Sequence, residues 1–265
     1  RLAGDEDTNP RPSFIGYAIN DIFIHRDRLG FLADENYILS RSRDYFNFWR
    51  DTAQQLLDDD PIDAAVGQER VSVLRHAVEY NRALLFFSEF AQFSTSPNQI
   101  LSPRNPAGLA SKTTEFRASL GAKPAGVGSF VFFVDENTDF ASVLEFYITS
   151  DNQTNDANEV TGHIPNYIPS GVNRIIASPS QHLLMILTSG DPQAAYVYSW
   201  VFQGGEKSLS SWNRCDFGDG PAVRGGGFIG SRLYLVIGRP DGLYLEYMEL
   251  ETPEGSAARA TASIG

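Results

Sequence analysis

Residues 13–49 read SFIGYAINDIFIHRDRLGFLADENYILSRSRDYFNFW. An apolar run, Ile22 to Ile24, meets a polar corner and is followed by Leu29–Gly30–Phe31–Leu32. The acidic stretch Ala33–Asp34–Glu35–Asn36 then separates that run from Tyr37–Ile38–Leu39–Ser40. Short apolar runs punctuated by Gly, Asp and Asn read as antiparallel hairpins. The stretch closes on Tyr45–Phe46–Asn47–Phe48–Trp49, an aromatic group suited to packing inside a sheet stack or between subunits.

The same grammar recurs down the chain. Ala83–Ser88 and Phe90–Ser94 form a second hairpin, and Ser129–Val134 with Val143–Thr149 a third. Leu183–Leu187 with Ala195–Phe202 and Arg232–Ile237 with Leu243–Leu250 make the fourth and fifth. Their leading strands, anchored at Leu29, Leu84, Phe130, Leu183 and Leu233, stand 55, 46, 53 and 50 residues apart. Hairpin-rich units at a period near fifty are the pattern of propeller blades. The runs LLFF, FVFF and LLMIL fit inner strands buried on both faces, whereas Tyr196, Tyr198 and Trp200 alternate onto one face. The expectation is an all-β, β-propeller-like array of about five hairpin-rich blades of ~50 residues with minor short helices. A β-sandwich of irregular hairpins satisfies the same pattern.

Between the hairpins the expectations are looser. Residues 1–12 read as a linker or N-terminal extension, 13–250 as the propeller-type domain and 251–265 as a flexible tail. Asp58–Asp59–Asp60–Pro61 is placed in a loop, because Pro61 disfavours helix at Asp60. Residues 69–80 fit a short helix or, nearly as well, a strand. Residues 113–120 fit an edge strand, 150–163 a long polar loop, and 164–169 an extended connector.

The 265 residues include enough apolar material for a large core, at 42% hydrophobic and 12% aromatic. The start at Arg1 predicts a piece of a longer or processed protein with frayed ends. No signal-peptide pattern opens the sequence, and it has no apolar run of bilayer-spanning length. A lone cysteine, Cys215, rules out an internal disulfide and a multi-cysteine zinc site. The formal net charge of −12 argues against a protein that reads nucleic-acid sequence, and is compatible with a surface that DNA slides past without sticking.

Chemistry-bearing words are sparse. His25–Arg26–Asp27 and Asp216–Phe217–Gly218 imitate protein-kinase words but lie about 190 residues apart, with no Gly-rich loop between them. Ser189–Gly190–Asp191 is similar to the Asp box of sialidase propellers, lacks its Gly and Trp, and reads as a turn. The four histidines (25, 76, 163 and 182) show no ligand spacing. A calcium loop counted from Asp151 has Asp156 where glycine is required. The carboxylate pairs Glu69/Glu79 and Asp135/Glu136 read as solvated surface rather than glycosidase acids. Arg224–Gly225–Gly226–Gly227 reads as the tight start of a strand, with an anion cradle as the less favoured alternative. No catalytic, cofactor-binding or metal residue is nominated, and no cofactor.

Long ordered segments carry a resemblance. PSFIGYAINDIFIHRDRLGFLADENYILSRSRDYFNF, DDDPIDAAV, TTEFRASLGAKPAGVGS, VTGHIPNYIPSGV and SWNRCDFGDG, spread from about Pro12 to Leu250, resemble the tail tubular protein B (nozzle protein) family of short-tailed, podovirus-type bacteriophages. The resemblance implies a structural virion protein of the phage tail with no catalytic residues. It implies a homohexameric ring beneath the tail adaptor (tail tubular protein A), contact with the tail fibre protein, and a lumen through which double-stranded DNA passes without sequence recognition. The chain is shorter than a full nozzle subunit, so closure of the propeller calls for strands from elsewhere. Six copies at −12 each would carry −72, a charge that limits adhesion of DNA in transit. The rival reading from another class is a glycan-binding or glycan-hydrolysing propeller acting on the host surface. An adhesive receptor-binding module is the third.

Overall fold

The computed structural model describes residues 3–66, 71–105, 108–148, 154–178, 180–203 and 206–250. Glu69, Asp151 and the expected tail at 251–265 lie outside them. The chain divides into two compact units, Arg1–Leu120 with Tyr147–Ala157, and Gly121–Phe146 with Asn158–Gly265. The regular structure is a propeller-like series of five small antiparallel sheets, and no α-helix occurs among the described residues.

The first unit holds two sheets. β1 (Ile19–His25), β2 (Arg28–Ala33), β3 (Asn36–Leu39) and β4 (Ile62–Ala65) pair in chain order. So do β5 (His76–Tyr80), β6 (Ala83–Phe87), β7 (Gln92–Ser94) and β8 (Ser111–Thr114). Leu32, Tyr37, Leu39 and Ile62 of the first sheet meet Ala77, Leu84, Phe86 and Phe93 of the second in one core. Tyr37 stacks on Phe86 with centroids 4.8 Å apart, and its hydroxyl accepts from Ala110 N. Burial pushes that phenol up to about 12.

A third sheet comprises β9 (Ala125–Val127), β10 (Phe130–Glu136), β11 (Phe140–Ile148), β12 (Asn155–Glu159) and β13 (Ile168–Pro169), with β13 pairing beside β11. β14 (Val172–Ser178), β15 (Leu183–Thr188), β16 (Ala194–Gln203) and β17 (Glu206–Asp216) form the fourth, and β18 (Ala222–Ile229), β19 (Arg232–Arg239) and β20 (Gly242–Glu249) the fifth. The fourth sheet is covered on both faces. Leu184, Ile186, Tyr196, Tyr198 and Trp200 pack with Phe132 and Val143 on one side. Met185, Leu187, Ala195 and Val197 pack with Leu233, Leu235 and Ile237 on the other. This alternation is the pleat expressed as two cores.

Hairpin tips explain several sequence words. His25 pairs with Arg28, so Arg26 and Asp27 form a two-residue turn, with φ of 45° and 59°. Asn81 and Arg82 form another, at 47° and 65°. Both central residues at positive φ is the twist-matched hairpin turn. The His-Arg-Asp word is therefore the tip of a hairpin. Two glycines are fixed by close approach. Phe23 lies across the strand over Gly30, and a Cβ there would collide with the ring. A Cβ on Gly226 would sit 2.6 Å from Tyr234 O. Gly226 thus lets β18 lie against β19, as the tight strand of the sequence reading requires, while Gly225 and Gly227 face open space.

Some segments depart from expectation. Of residues 69–80, the described end is a strand: β5 pairs antiparallel with β6, the demand of the ALLFF run for a partner overriding a helical stripe. Residues 115–120 leave the ladder after β8. The buried Gln92 side chain donates to Phe116 O at 2.9 Å and accepts from Thr114 Oγ1 at 2.8 Å and Phe116 N at 3.1 Å, satisfying backbone that a strand would have paired. The polar stretch 155–159 is strand β12, at a sheet edge where polar side chains are tolerated.

Two buried charges or potential charges carry stability. Glu145 pairs across the ladder with Phe132, facing aromatic core, and is neutralised by Lys207 Nζ at 2.5 Å. The same ammonium stands 4.8 Å from the Phe130 ring centroid and 5.4 Å from that of Trp200. His25 is buried at the end of β1 with both ring nitrogens lacking a hydrogen bond; Glu79 Oε1 stands 3.4 Å away. Burial holds its pKa below the ordinary value, with Glu79 opposing.

Lys207→Met leaves the Glu145 carboxylate buried without a counter-charge. The expected loss is about 3–5 kcal/mol in urea unfolding, with most of it restored in Lys207→Met/Glu145→Leu. For His25 the unfolded chain takes up the proton first. Stability is therefore full above about pH 6.5 and falls as pH drops through the unfolded and then the folded pKa. The urea midpoint of the parent is expected to decline between about pH 7.5 and 5.5 more steeply than that of His25→Phe.

Candidate functional site

The carboxylates at the Asp58–Asp60 corner, at Asp191 and Asp216, and at Glu136 are tied into the scaffold. At the Asp58–Asp60 corner, buried Arg28 comes off the start of β2 and donates to three backbone carbonyls. Its Nη1 reaches Ser40 O and Asp60 O, each at 2.7 Å, and its Nη2 reaches Asp58 O at 2.9 Å. Burial lowers the guanidinium pKa, while Asp59 and Asp60 oppose that shift. Asp60 is itself fully buried and caps Leu57 N through Oδ2 at 2.7 Å. Asp59 is held ionised by its hydrogen bond from Arg41, which also pairs with Asp51. The corner is a loop fastened by arginines. Among the described residues no group of three or more His, Cys, Asp or Glu is placed to hold a metal ion.

The sialidase-like word lands in a second such network. Asp191 Oδ2 accepts from Arg214 Nε and from the Tyr196 hydroxyl, each at 2.9 Å. The Arg214 bond holds Asp191 below the usual carboxylate range, and burial with Asp191 pushes Tyr196 up to about 12. Asp216 accepts from Arg214 Nη1 at 2.7 Å and from Gly218 N at 2.8 Å, with Gly218 at φ +86°. The Asp-Phe-Gly word is the turn that ends β17. Glu136 accepts from Val172 N at 2.6 Å, fixing the start of β14. A general acid needs a carboxyl with a raised pKa in a cleft; Asp59, Asp191 and Asp216 are all shifted the other way.

What the surface offers instead is exposed apolar strand faces. In the first unit Ile22 and Ile24 point outward from β1, an edge strand, on the face opposite Phe23. Phe14, Phe31 and Phe48 cluster with ring centroids 5.2–5.3 Å apart, so Phe48 of the aromatic tail packs within its own sheet. Its neighbour Phe46 is 89% exposed. In the second unit the fifth sheet has three strands, and no described strand pairs with the outer edge of β20. Its face away from the core presents Leu243 and Leu245, each 71% exposed, and Ile229, 70% exposed. Isolated apolar side chains at a surface need no explanation, but a row of them on an edge strand marks a candidate contact site. These residues are visible in the sequence; their exposure is not, because an outward Leu in a strand reads the same as an inward one.

Comparison with known proteins accords with this geometry. Residues 1–262 match the family described as "Bacteriophage nozzle protein". The chain is 38% identical over 238 residues to tail tubular protein gp12 of Escherichia phage T7, covering 89% of the chain and 30% of that relative. It thus spans under a third of that relative's length. Among solved structures, the Nup170 N-terminal domain in complex with Nup53 from Chaetomium thermophilum aligns with a TM-score of 0.56 at 10% identity, over 91% of this chain and 37% of that one. That likeness concerns fold alone. The chain belongs to the bacteriophage nozzle protein family.

Proposed function

We propose that this chain is a wall segment of a phage tail nozzle, part of the distal conduit through which genomic DNA leaves the virion, and that it acts by shape. The family match along residues 1–262 carries the reading. In it the chain assembles with copies of itself into a six-fold ring, adjoins the tail adaptor and the tail fibre, and lets double-stranded DNA pass. The net charge of −12 supports the last point, since a surface rich in carboxylates repels phosphates and does not retain them. The outward rows on β1 and β20 supply apolar surface for neighbouring protein. The engagement of Asp59, Asp191 and Asp216 in ion pairs and turn caps supports a scaffold over a glycan hydrolase.

The test is made in the phage. Leu243→Glu with Leu245→Glu changes only exposed positions, so the purified subunit is expected to keep its stability within about 1 kcal/mol. Particles assembled with the double variant are expected to lack intact tails by electron microscopy. Normal tails would remove this face from the assembly. Finding the parent chain anywhere but the tail in images of the whole particle would overturn the reading, as would sustained sugar release from host polysaccharide that a single carboxylate change abolishes.

A further inference from the structure

The face of the fifth sheet turned away from its core has a relief that its own unit does not explain. Leu233, Leu235 and Ile237 of β19 enter the core, so Tyr234, Val236 and Gly238 alternate onto the other side, opposite Tyr247, Leu245 and Leu243 of β20. On β18 the same side carries Gly227 beside Tyr234 and Gly225 beside Val236. A Cβ on either glycine would meet nothing within 4 Å. Glycine inside a strand marks a bulge or the close approach of another backbone. The bulge between Val223 and Gly225 accounts for the first, and Gly227 has no such reason among the described residues. Together they leave two bare positions, two residues apart, on the surface of β18. At the end of this floor Arg224 lies over Gly238, its Nε 3.1 Å from where a Cβ would stand. Arg232 pairs with Glu249 and Arg239 with Glu246, but Arg224 is exposed and has no ion pair among the described residues.

The fourth sheet shows how this unit buries such a face: another sheet covers it on each side. The first unit carries the complementary relief. Ile22 and Ile24 stand exposed, two residues apart, on edge strand β1. Asp27 follows at the hairpin tip, exposed, with its carboxylate 3.7 Å from the more exposed Arg43. Two knobs on one strand and two bare positions on another share a spacing of ~6.7 Å. With β1 antiparallel to β18, Ile24 sits over Gly225 and Ile22 over Gly227, and Asp27 is brought towards Arg224. We propose that the fifth-sheet face of one copy receives the β1 face of a second copy in this register. The two surfaces differ, so the contact is head-to-tail and gives a ring when its rotation closes. The inference deepens the reading of the chain as one of several copies in a nozzle ring, and rests on that reading.

Phage particles carrying Ile24→Cys with Gly225→Cys, in a Cys215→Ser background, are oxidised and run on a non-reducing gel. A ladder of dimers and larger species is expected from the pair and from neither single variant. A disulfide within one chain, dimers from Gly225→Cys alone, or no cross-link in intact tails would each overturn the proposal. A charge test needs no cysteine. Arg224→Glu is expected to lower the yield of infectious particles at least about tenfold, Asp27→Lys likewise, and the two together to restore most of it. The same reversal at exposed Arg174, on the fourth sheet, is expected to leave the yield unchanged. Gly227→Trp, for which the fold has room, is expected to block seating with the melting temperature of the purified chain unchanged. A double reversal no better than either single one, an equal loss with Arg174→Glu, or full yield with Gly227→Trp would also overturn the contact. If microscopy still finds the chain in the tail after such a result, the nozzle reading stands without this contact.

Discussion

Burial of both faces of the central strands is the constraint from which the architecture follows. β6, β10 and β15 carry ALLFF, FVFFV and LLMIL, and nearly every residue in them is shielded from water. A strand that is apolar on both sides cannot sit in a one-sided sheet. Each such sheet must be covered front and back, and the fourth sheet displays the result, with Tyr196, Tyr198 and Trp200 in one core and Ala195 and Val197 in the next. On the fifth sheet no described residue covers the face that carries Leu243 and Leu245, and both side chains are exposed.

Loops between such sheets are long, and their polar backbone has to be paired near apolar surface. The chain meets this with side chains in place of further strands. Arg28 supplies donors to three carbonyls around the acidic corner, Gln92 pairs both groups of a departing segment, and Asp60 caps a turn from a fully buried position. Charged groups used this way are costly to orphan, because removing one partner leaves the other desolvated. The same reasoning accounts for the carboxylate networks. An aspartate that neutralises Arg214 and accepts from Tyr196 has its lone pairs engaged and its proton affinity lowered. Such a group holds a turn in place and is poorly suited to shuttle protons.

Much of this was legible beforehand, for a physical reason. Runs such as LLMIL have only one comfortable home, and dipeptides such as Asp34–Glu35 and Pro240–Asp241 mark where they reverse, so the five hairpins stood out. The segments that escaped were those whose own residues carry little strand pattern, although most of them pair with the strand that follows. Asn155–Glu159 is polar but for Ala157 and becomes a strand where β11 offers an edge. Val172–Ser178 alternates weakly, and Ala222–Ile229 is broken by three glycines, of which Gly226 makes sense only against Tyr234 and Ile176. The choice between helix and strand at 69–80 turned on β6, whose register with His76–Tyr80 no local pattern encodes. The resemblance carried in segments such as PSFIGYAINDIFIHRDRLGFLADENYILSRSRDYFNF pointed to the family. The contact of His182 with Trp200 and Phe202 had no signal, because those rings meet only once adjoining hairpins are in place.

On the reading proposed above, a chain that guides DNA without gripping it faces opposed demands. It needs apolar surface to join its neighbours, yet any apolar or cationic surface left toward the cargo would retard it. Segregation by strand face meets both demands at once, because the pleat sends alternate residues to opposite sides and allows one side to be committed to packing. Excess carboxylates can then populate the remainder without disturbing the core, and where a carboxylate does enter the core, as Glu145 does, a lysine and three aromatic rings accompany it. A fold of stacked sheets separates adhesion from repulsion within single strands, which a helical bundle of the same length achieves only along a narrower stripe. On this reasoning the β architecture and the acidic composition answer one requirement, and a change that traded an exposed acid for lysine on the cargo side would erode function with the fold intact.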